Sequence, residues 1–211
     1  MKIAVVGAAG MVGSRVVTEA TRRGHELVAV FRGRPPAVLP PGATAVKGDA
    51  NDPGRMSRLF AGTDAIVAAT RPAPGHEHTA VATTTALLTA AATARTRILV
   101  VGGAAPLRVP GHPDRLVVDS PDHVPPAFRA IAAASAAQLD ACRAHPADWV
   151  YLSPPAVLEP GARTGTYRRG TTTLITGADG ASHISAEDLA VAVLDELENP
   201  GEDEHFTVGY Q

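Results

Sequence analysis

The sequence predicts an α/β protein organised on a parallel sheet. Short apolar runs alternate with longer amphipathic runs along the chain, which is the pattern of repeated strand, helix, strand units. A glycine-punctuated turn, Gly7-Ala8-Ala9-Gly10-Met11-Val12-Gly13, separates the first apolar run from the first amphipathic one. The length of 211 residues suits one domain of this kind and leaves little room for a second.

Ile3 to Val6 reads as the first strand. Met11 to Arg23 reads as a helix stopped by Gly24, with Arg22 and Arg23 at the negative end of its dipole. Leu27 to Phe31 is a second strand, and a proline-rich loop from Arg34 to Gly42 leads to a third at Thr44 to Lys47. Asn51-Asp52-Pro53 then caps a helix through Phe60, with proline in its first turn. Asp64 to Ala69 is a fourth strand, Glu77 to Ala94 a crossover helix rich in alanine and threonine, and Ile98 to Val101 a fifth strand ended by Gly102-Gly103. Ala104 to Pro126 holds several prolines and one brief apolar run, Leu116 to Val118, so a long irregular excursion is expected there, the kind of loop that serves as a lid. Phe128 to Ala144 is a helix and Trp149 to Leu152 the strand after it. Beyond Ser153 the pattern loosens into turns with short strands near Thr172 to Ile175, then a helix at Ala186 to Leu197 and a last strand at His205 to Val208. That tail is too small to stand alone. Residues 1–211 are therefore expected to be one domain, within which residues 153–183 form a substrate-side cap.

The 19 Lys and Arg against 21 Asp and Glu leave a net charge of −2, which lacks the basic footprint of a nucleic-acid binder and makes small molecules the expected partners. No run reaches the roughly eighteen uncharged apolar residues of a membrane helix. The single cysteine, Cys142, has no disulfide partner and no companion thiolate for zinc, so a reducing cytoplasm and no metal are expected. The assembly is expected to be a monomer or a homodimer.

Each glycine of the first turn has a use there. Gly7 allows a sharp bend, Gly10 removes a side chain from the approach of a pyrophosphate, and Gly13 lets the helix pack close to the strand. The helix N-terminus offers N–H groups and a positive dipole end to an anion. In this setting the turn points to a dinucleotide, touched by Gly7, Ala9, Gly10, Met11, Val12 and Gly13. A unit selective for NAD would present Asp or Glu after the second strand to hold the ribose 2′-hydroxyl. Phe31-Arg32-Gly33-Arg34 stands there instead. Arg32 and Arg34 either pair with a 2′-phosphate, which favours NADP(H) over NAD(H), or are solvated loop arginines. Asp49, with Ala50 beside it, is placed to bond an adenine amino group or to cap the next helix; Ala69, Thr70 and Arg71 should edge the middle of the cofactor.

Taken with GAAGMVG at Gly7 to Gly13, the segments KGDANDP (Lys47 to Pro53), VVGGAAPL (Val100 to Leu107), YLSPPAVLEPGARTGTYRRG (Tyr151 to Gly170), ISAEDLAVAVLDELENP (Ile184 to Pro200) and FTVGY (Phe206 to Tyr210) resemble one family over essentially the whole chain. It is the NmrA-like, NAD(P)H-binding group of atypical short-chain dehydrogenase/reductases, in particular the bacterial NADH-flavin reductase branch, whose layout biliverdin-IX beta/flavin reductases share. The resemblance implies a doubly wound, Rossmann-like parallel sheet with a small C-terminal substrate cap. It further implies a nicotinamide cofactor along the strand ends and a nicotinamide pocket near Gly102, Gly103, Ser153 and Pro154. Two departures stand out. Gly102-Gly103-Ala104-Ala105-Pro106-Leu107 has proline where the group tends to have the serine of GGAGSL, and Phe128-Arg129 stands where a Tyr-Lys pair often opens the helix. A tyrosine acid for carbonyl reduction is therefore missing, whereas hydride transfer to a flavin, as a substrate rather than a bound prosthetic group, asks less of the protein.

His76 and His123 are the candidate proton donors, each also readable as a surface residue. His76 and His78, two apart at a helix start, point to different faces and are not expected to share a metal. Pro106, His123, Tyr167 and Arg168 are the candidate substrate contacts, the last two equally readable as a solvated basic turn. The expected function is an NADP(H)-dependent oxidoreductase acting on a flavin or another planar conjugated molecule. Its rivals are a redox sensor that binds NADP(H) without turnover and a biosynthetic isomerase, cyclase or lyase that keeps the fold.

Overall fold

The computed structural model describes residues 1–35 and 39–211. Pro36, Ala37 and Val38, part of the expected proline-rich loop, lie outside the described residues. The chain begins with β1 (Lys2–Val6), α1 (Met11–Arg22), β2 (Glu26–Phe31), β3 (Ala43–Lys47), α2 (Pro53–Phe60), β4 (Ala65–Ala68), α3 (Ala80–Ala94) and β5 (Ile98–Val101). It continues through β6 (Arg108–Val109), β7 (His112–Leu116), α4 (Arg129–Arg143), β8 (Trp149–Ser153), β9 (Val157–Glu159), β10 (Arg168–Gly170), β11 (His183–Ser185), α5 (Ala186–Glu198) and β12 (His205–Gly209).

Eight strands form the main sheet in the order β10-β12-β8-β5-β4-β1-β2-β3. All pair in parallel except the edge strand β10, which runs antiparallel to β12 with Arg168 opposite Gly209. The sheet is wound outward in both directions from the β1–β4 junction, so their carboxyl ends flank the topological switch point, the crevice where open α/β sheets hold ligands. One apolar layer packs α1 and α5 against residues such as Val5, Val67, Leu99 and Phe206. The other packs α2, α3 and α4 against Val6, Ile66, Val100 and Tyr151. Because helices cover both faces, every residue of β4 and β5 is buried, which is why these strands read as unbroken apolar runs.

Helix ends follow local chemistry. Asp52 accepts the Arg55 N–H at 2.8 Å to start α2, and Ser185 accepts the Asp188 N–H at 3.0 Å to start α5. Arg95 ends α3 in the left-handed region at φ 57°.

Two stretches differ from the expected pattern. Ala104 to Pro126 is not wholly irregular: β6 and β7 make a hairpin, and Ala105, Leu107, Val109, Val117 and Val124 join Ala132 and Leu174 in a small core of their own. The strand expected near Thr172 to Ile175 is only an isolated bridge between Arg108 and Thr173; the strand of that region is β10, and a separate parallel pair, β9 with β11, follows β8. Three-residue strands are too short to show an alternating pattern.

Candidate functional site

The turn after β1 is a close-packed cradle. Gly7 has φ +86°, and a Cβ there would lie 2.4 Å from the Ala69 carbonyl oxygen at the end of β4. At Gly13 a Cβ would meet the Gly7 carbonyl at 2.2 Å, so the start of α1 lies directly on the turn. Gly10 donates its N–H to the Gly7 carbonyl at 2.8 Å and serves as the N-cap of α1. It brings no side-chain oxygen to the helix end, and the first turn carries no acid, which keeps the positive end of the dipole open to an anion.

The other expected cofactor residues gather along the same carboxyl edge. Arg32 and Arg34 are exposed just beyond β2. Asp49 accepts from the backbone N–H and the side-chain amide of Asn51 at 3.0 and 3.2 Å, a turn-forming role that leaves its exposed carboxylate facing solvent. Ala69 and Thr70 are half-buried at the end of β4, with Arg71 exposed beyond them.

Gly102 and Gly103 follow β5 and face side chains. A Cβ on Gly102 would fall 1.8 Å from the Tyr151 hydroxyl, and one on Gly103 would fall 2.7 Å from Ser135 Oγ. Tyr151 is fully buried, its hydroxyl 3.0 Å from the Ser135 carbonyl and 3.1 Å from Gln138 Oε1, while Gln138 donates to Thr84 at 2.9 Å. Burial raises the Tyr151 pKa well above the ordinary phenol value. This phenol is a strut between β8, α4 and α3 and not an exposed acid; it went unread in the sequence because its partners lie 13 to 16 residues away on another element. Ser153, also fully buried, sits 2.9 Å from His205 Nε2, and Pro154 is buried beside it. Burial pushes His205 down to about 4, with Arg143 adding to the effect, and its Nδ1 has no hydrogen-bond partner among the described residues.

The residues expected on the substrate side are not brought together. Pro106 is buried beside Ala105 and Leu107, on the side of the sheet that carries α4. Tyr167 packs against the opposite layer and donates to Asp195 on α5 at 2.6 Å. Arg168 is exposed on edge strand β10. His123 is half-buried, with Nδ1 3.0 Å from Ser120 Oγ. The segment leading to β10 is tied down by Asp188, which accepts from the N–H groups of Thr164 and Gly165 and from the Tyr210 hydroxyl. Burial acts to raise the Asp188 pKa, and these hydrogen bonds outweigh it, so the carboxylate is held below its ordinary range.

A cleft of about 510 Å³ opens instead between the loop after β4 and the start of α4, lined by Arg71, Pro72, Pro74, Glu77, Ala127, Phe128 and Ile131. His76 is exposed between Pro74 and Glu77 on its rim, with its ring centroid 6.0 Å from that of His78. Phe128 is a site residue that the sequence reading misses, whereas Pro72 stands with Arg71 after β4, where the middle of the cofactor is expected. The available signal is an aromatic ring standing just before Arg129 at the start of a helix, in a chain where aromatic residues are scarce. Among the described residues no cluster of three or more His, Cys, Asp or Glu could hold a metal, and no helix is long and apolar enough to cross a membrane.

Comparison with known proteins gives a consistent result. The profile of a family described as NAD(P)H-binding matches residues 7–200. A structure from Burkholderia pseudomallei, described as a "putative exported protein", is 37% identical with a TM-score of 0.85 and covers 100% of both chains. One from Bacteroides thetaiotaomicron, described as a "putative epimerase", is 33% identical with a TM-score of 0.90, over 99% of this chain and 96% of that one. A "putative NADH-flavin reductase" from Streptococcus pneumoniae TIGR4 is 29% identical with a TM-score of 0.90 over 100% of both.

Proposed function

Because the chain belongs to the NAD(P)H-binding family, we propose that it is an NADP(H)-dependent oxidoreductase that delivers hydride to a flavin or another planar conjugated small molecule. The observation that carries this reading is the cradle after β1, where three glycine positions are closed to any Cβ or tight against it while the first turn of α1 contributes no acidic residue. A diphosphate fits that end, since backbone N–H groups bind it without a side chain in the way. Arg32 and Arg34, exposed beyond β2 where an acid would select NAD(H), supply guanidinium for a 2′-phosphate. Bound NADPH would supply a hydride, carrying two electrons, to an electron-poor ring nitrogen of the acceptor, with a proton from solvent completing its reduction and NADP⁺ left behind.

The chain's own part is to hold and orient. Gly102 and Gly103 leave a bare surface at the end of β5 for the reactive end of the cofactor, supported from below by Tyr151 and Ser135. His76, exposed between the cleft residues Pro74 and Glu77, is a candidate to relay the proton. The fold also supports a second reading, a binder that senses NADP(H) without turnover, and the buried state of Tyr151 favours it by leaving the site without a phenolic acid.

Titration of NADPH and NADH fluorescence, followed by NADPH oxidation with FMN, separates these readings. We expect saturable NADPH binding and oxidation well above the rate in free solution; binding without oxidation by any acceptor leaves the sensor. Arg32→Ala should weaken NADPH by about tenfold or more while NADH changes little, as loss of a charge-assisted bond worth about 1.5–3 kcal/mol requires. Equal losses for both cofactors would remove the 2′-phosphate role. The cytoplasm, where NADPH is made, is the proposed location, and because the Burkholderia relative is described as exported, cell fractionation is the direct check.

A further inference from the structure

Resting on that reading of the strand ends, we infer that the cleft between the loop after β4 and the start of α4 is the acceptor subsite, and that it takes a planar aromatic ring bearing an anionic tail. Phe128 is 56% exposed, more than any other large apolar side chain among the described residues. An aromatic ring left in water at the mouth of a cleft gains by being covered, at roughly 25 cal/mol for each Å² of apolar surface removed from water, and a flat ligand covers it best. Pro72 and Pro74 form the facing wall, so the gap is bounded by rigid rings on one side and an aromatic face on the other.

Position ties the cleft to the cofactor cradle. Phe128, Ile131 and Ser135 recur at the spacing of one helix face, and Ser135 Oγ is the atom that a Cβ on Gly103 would meet. This face of α4 and its N-cap therefore leads from the cleft to the Gly102-Gly103 turn. The opposite wall grows from the end of β4, whose Ala69 carbonyl rests against Gly7. Both walls thus begin at the turns that cradle the cofactor, which places an acceptor in the cleft beside the reactive end of the nicotinamide.

Charge selects the tail. Glu77, the cleft's carboxylate, is drawn toward the backbone, accepting the Gly75 N–H at 3.0 Å. Arg71 is exposed on the same cleft and makes no ion pair among the described residues, so its guanidinium is the charge offered to a ligand. A phosphate or carboxylate on the acceptor meets that need.

FMN and riboflavin share one ring and differ in the phosphate, so quenching of their fluorescence, titrated with and without NADP⁺, tests ring and tail separately. We expect Phe128→Ala to weaken both flavins by about tenfold, equivalent to 1.4 kcal/mol, with NADPH affinity unchanged and Phe128→Tyr restoring both. Arg71→Ala should weaken FMN by a similar factor and leave riboflavin as it was. Unchanged flavin affinity in Phe128→Ala, or a protein that binds NADPH but neither flavin, overturns the subsite; equal losses of FMN and riboflavin in Arg71→Ala overturn the anionic tail. A protein that binds FMN through Phe128 yet does not bind NADPH retains the subsite and loses the cofactor reading instead.

Discussion

After β1, a Cβ added at Gly7 or Gly13 would strike main chain, 2.4 Å from the Ala69 oxygen and 2.2 Å from the Gly7 oxygen; after β5, one added at Gly102 or Gly103 would strike side chains, the Tyr151 hydroxyl at 1.8 Å and Ser135 Oγ at 2.7 Å. Both turns end central strands of one sheet, yet they are held in different ways. The first is a backbone device, with no side chain to trim if it becomes crowded. The second is a surface of glycine laid over a buried polar strut, and what lies beneath it is open to change by mutation. Main-chain packing of the first kind is insensitive to protonation, whereas the neighbourhood of β8 and β12 holds Tyr151, Ser153 and His205 and therefore responds to pH.

The largest expected effect falls on the first turn. Gly13→Ala should destabilise the protein by more than about 4 kcal/mol, since the intruding methyl meets backbone that cannot yield, and no second substitution nearby should recover it. Urea unfolding measures this, and a loss below 1 kcal/mol would erase the contrast between the turns. Next comes Gly102→Ala, at about 3 kcal/mol, for which Tyr151→Leu should be a partial remedy. In a double-mutant cycle the pair should lose at least about 1 kcal/mol less than the sum of the single changes; strict additivity would mean that the phenol does not occupy the space beneath Gly102.

The smallest effect sharpens the pH side of the comparison. The unfolded chain protonates His205 near 6.5 and the folded chain only near 4, so its neutral, buried state contributes fully above pH 6.5 and its contribution is lost as pH falls from 6.5 toward 4. The loss should amount to roughly 2 kcal/mol over that window, and His205→Gln should flatten it. An unchanged slope in the variant would assign the acid sensitivity to other groups.

The backbone device was legible in the sequence and the side-chain device was not. A glycine turn between an apolar run and an amphipathic one is a local pattern, and β4 and β5 announce themselves because both of their faces are covered. Tyr151 looked like any residue of a buried strand; the need for glycine at 102 exists only because β5 and β8 are neighbours in the sheet. The substrate-side set was less legible still. Tyr167 is claimed by Asp195, and Pro106 is buried between Ala105 and Leu107 of a small core that no periodicity reveals, while the cleft draws its walls from a loop and a helix start about 50 residues apart. Edge strand β10, three residues with two arginines, has the composition of a loop because its exposed edge is kept charged.

The contact of Gly7 with Ala69 has a practical consequence for redesign. Since the end of β4 is wedged against the glycine turn after β1, changes at positions 69 and 70 would, on the proposed reading, alter cofactor and acceptor together and report on neither alone. Engineering of substrate preference is better begun from Phe128 and Ile131, at the N-cap and in the first turn of α4, which can be varied without disturbing that wedge.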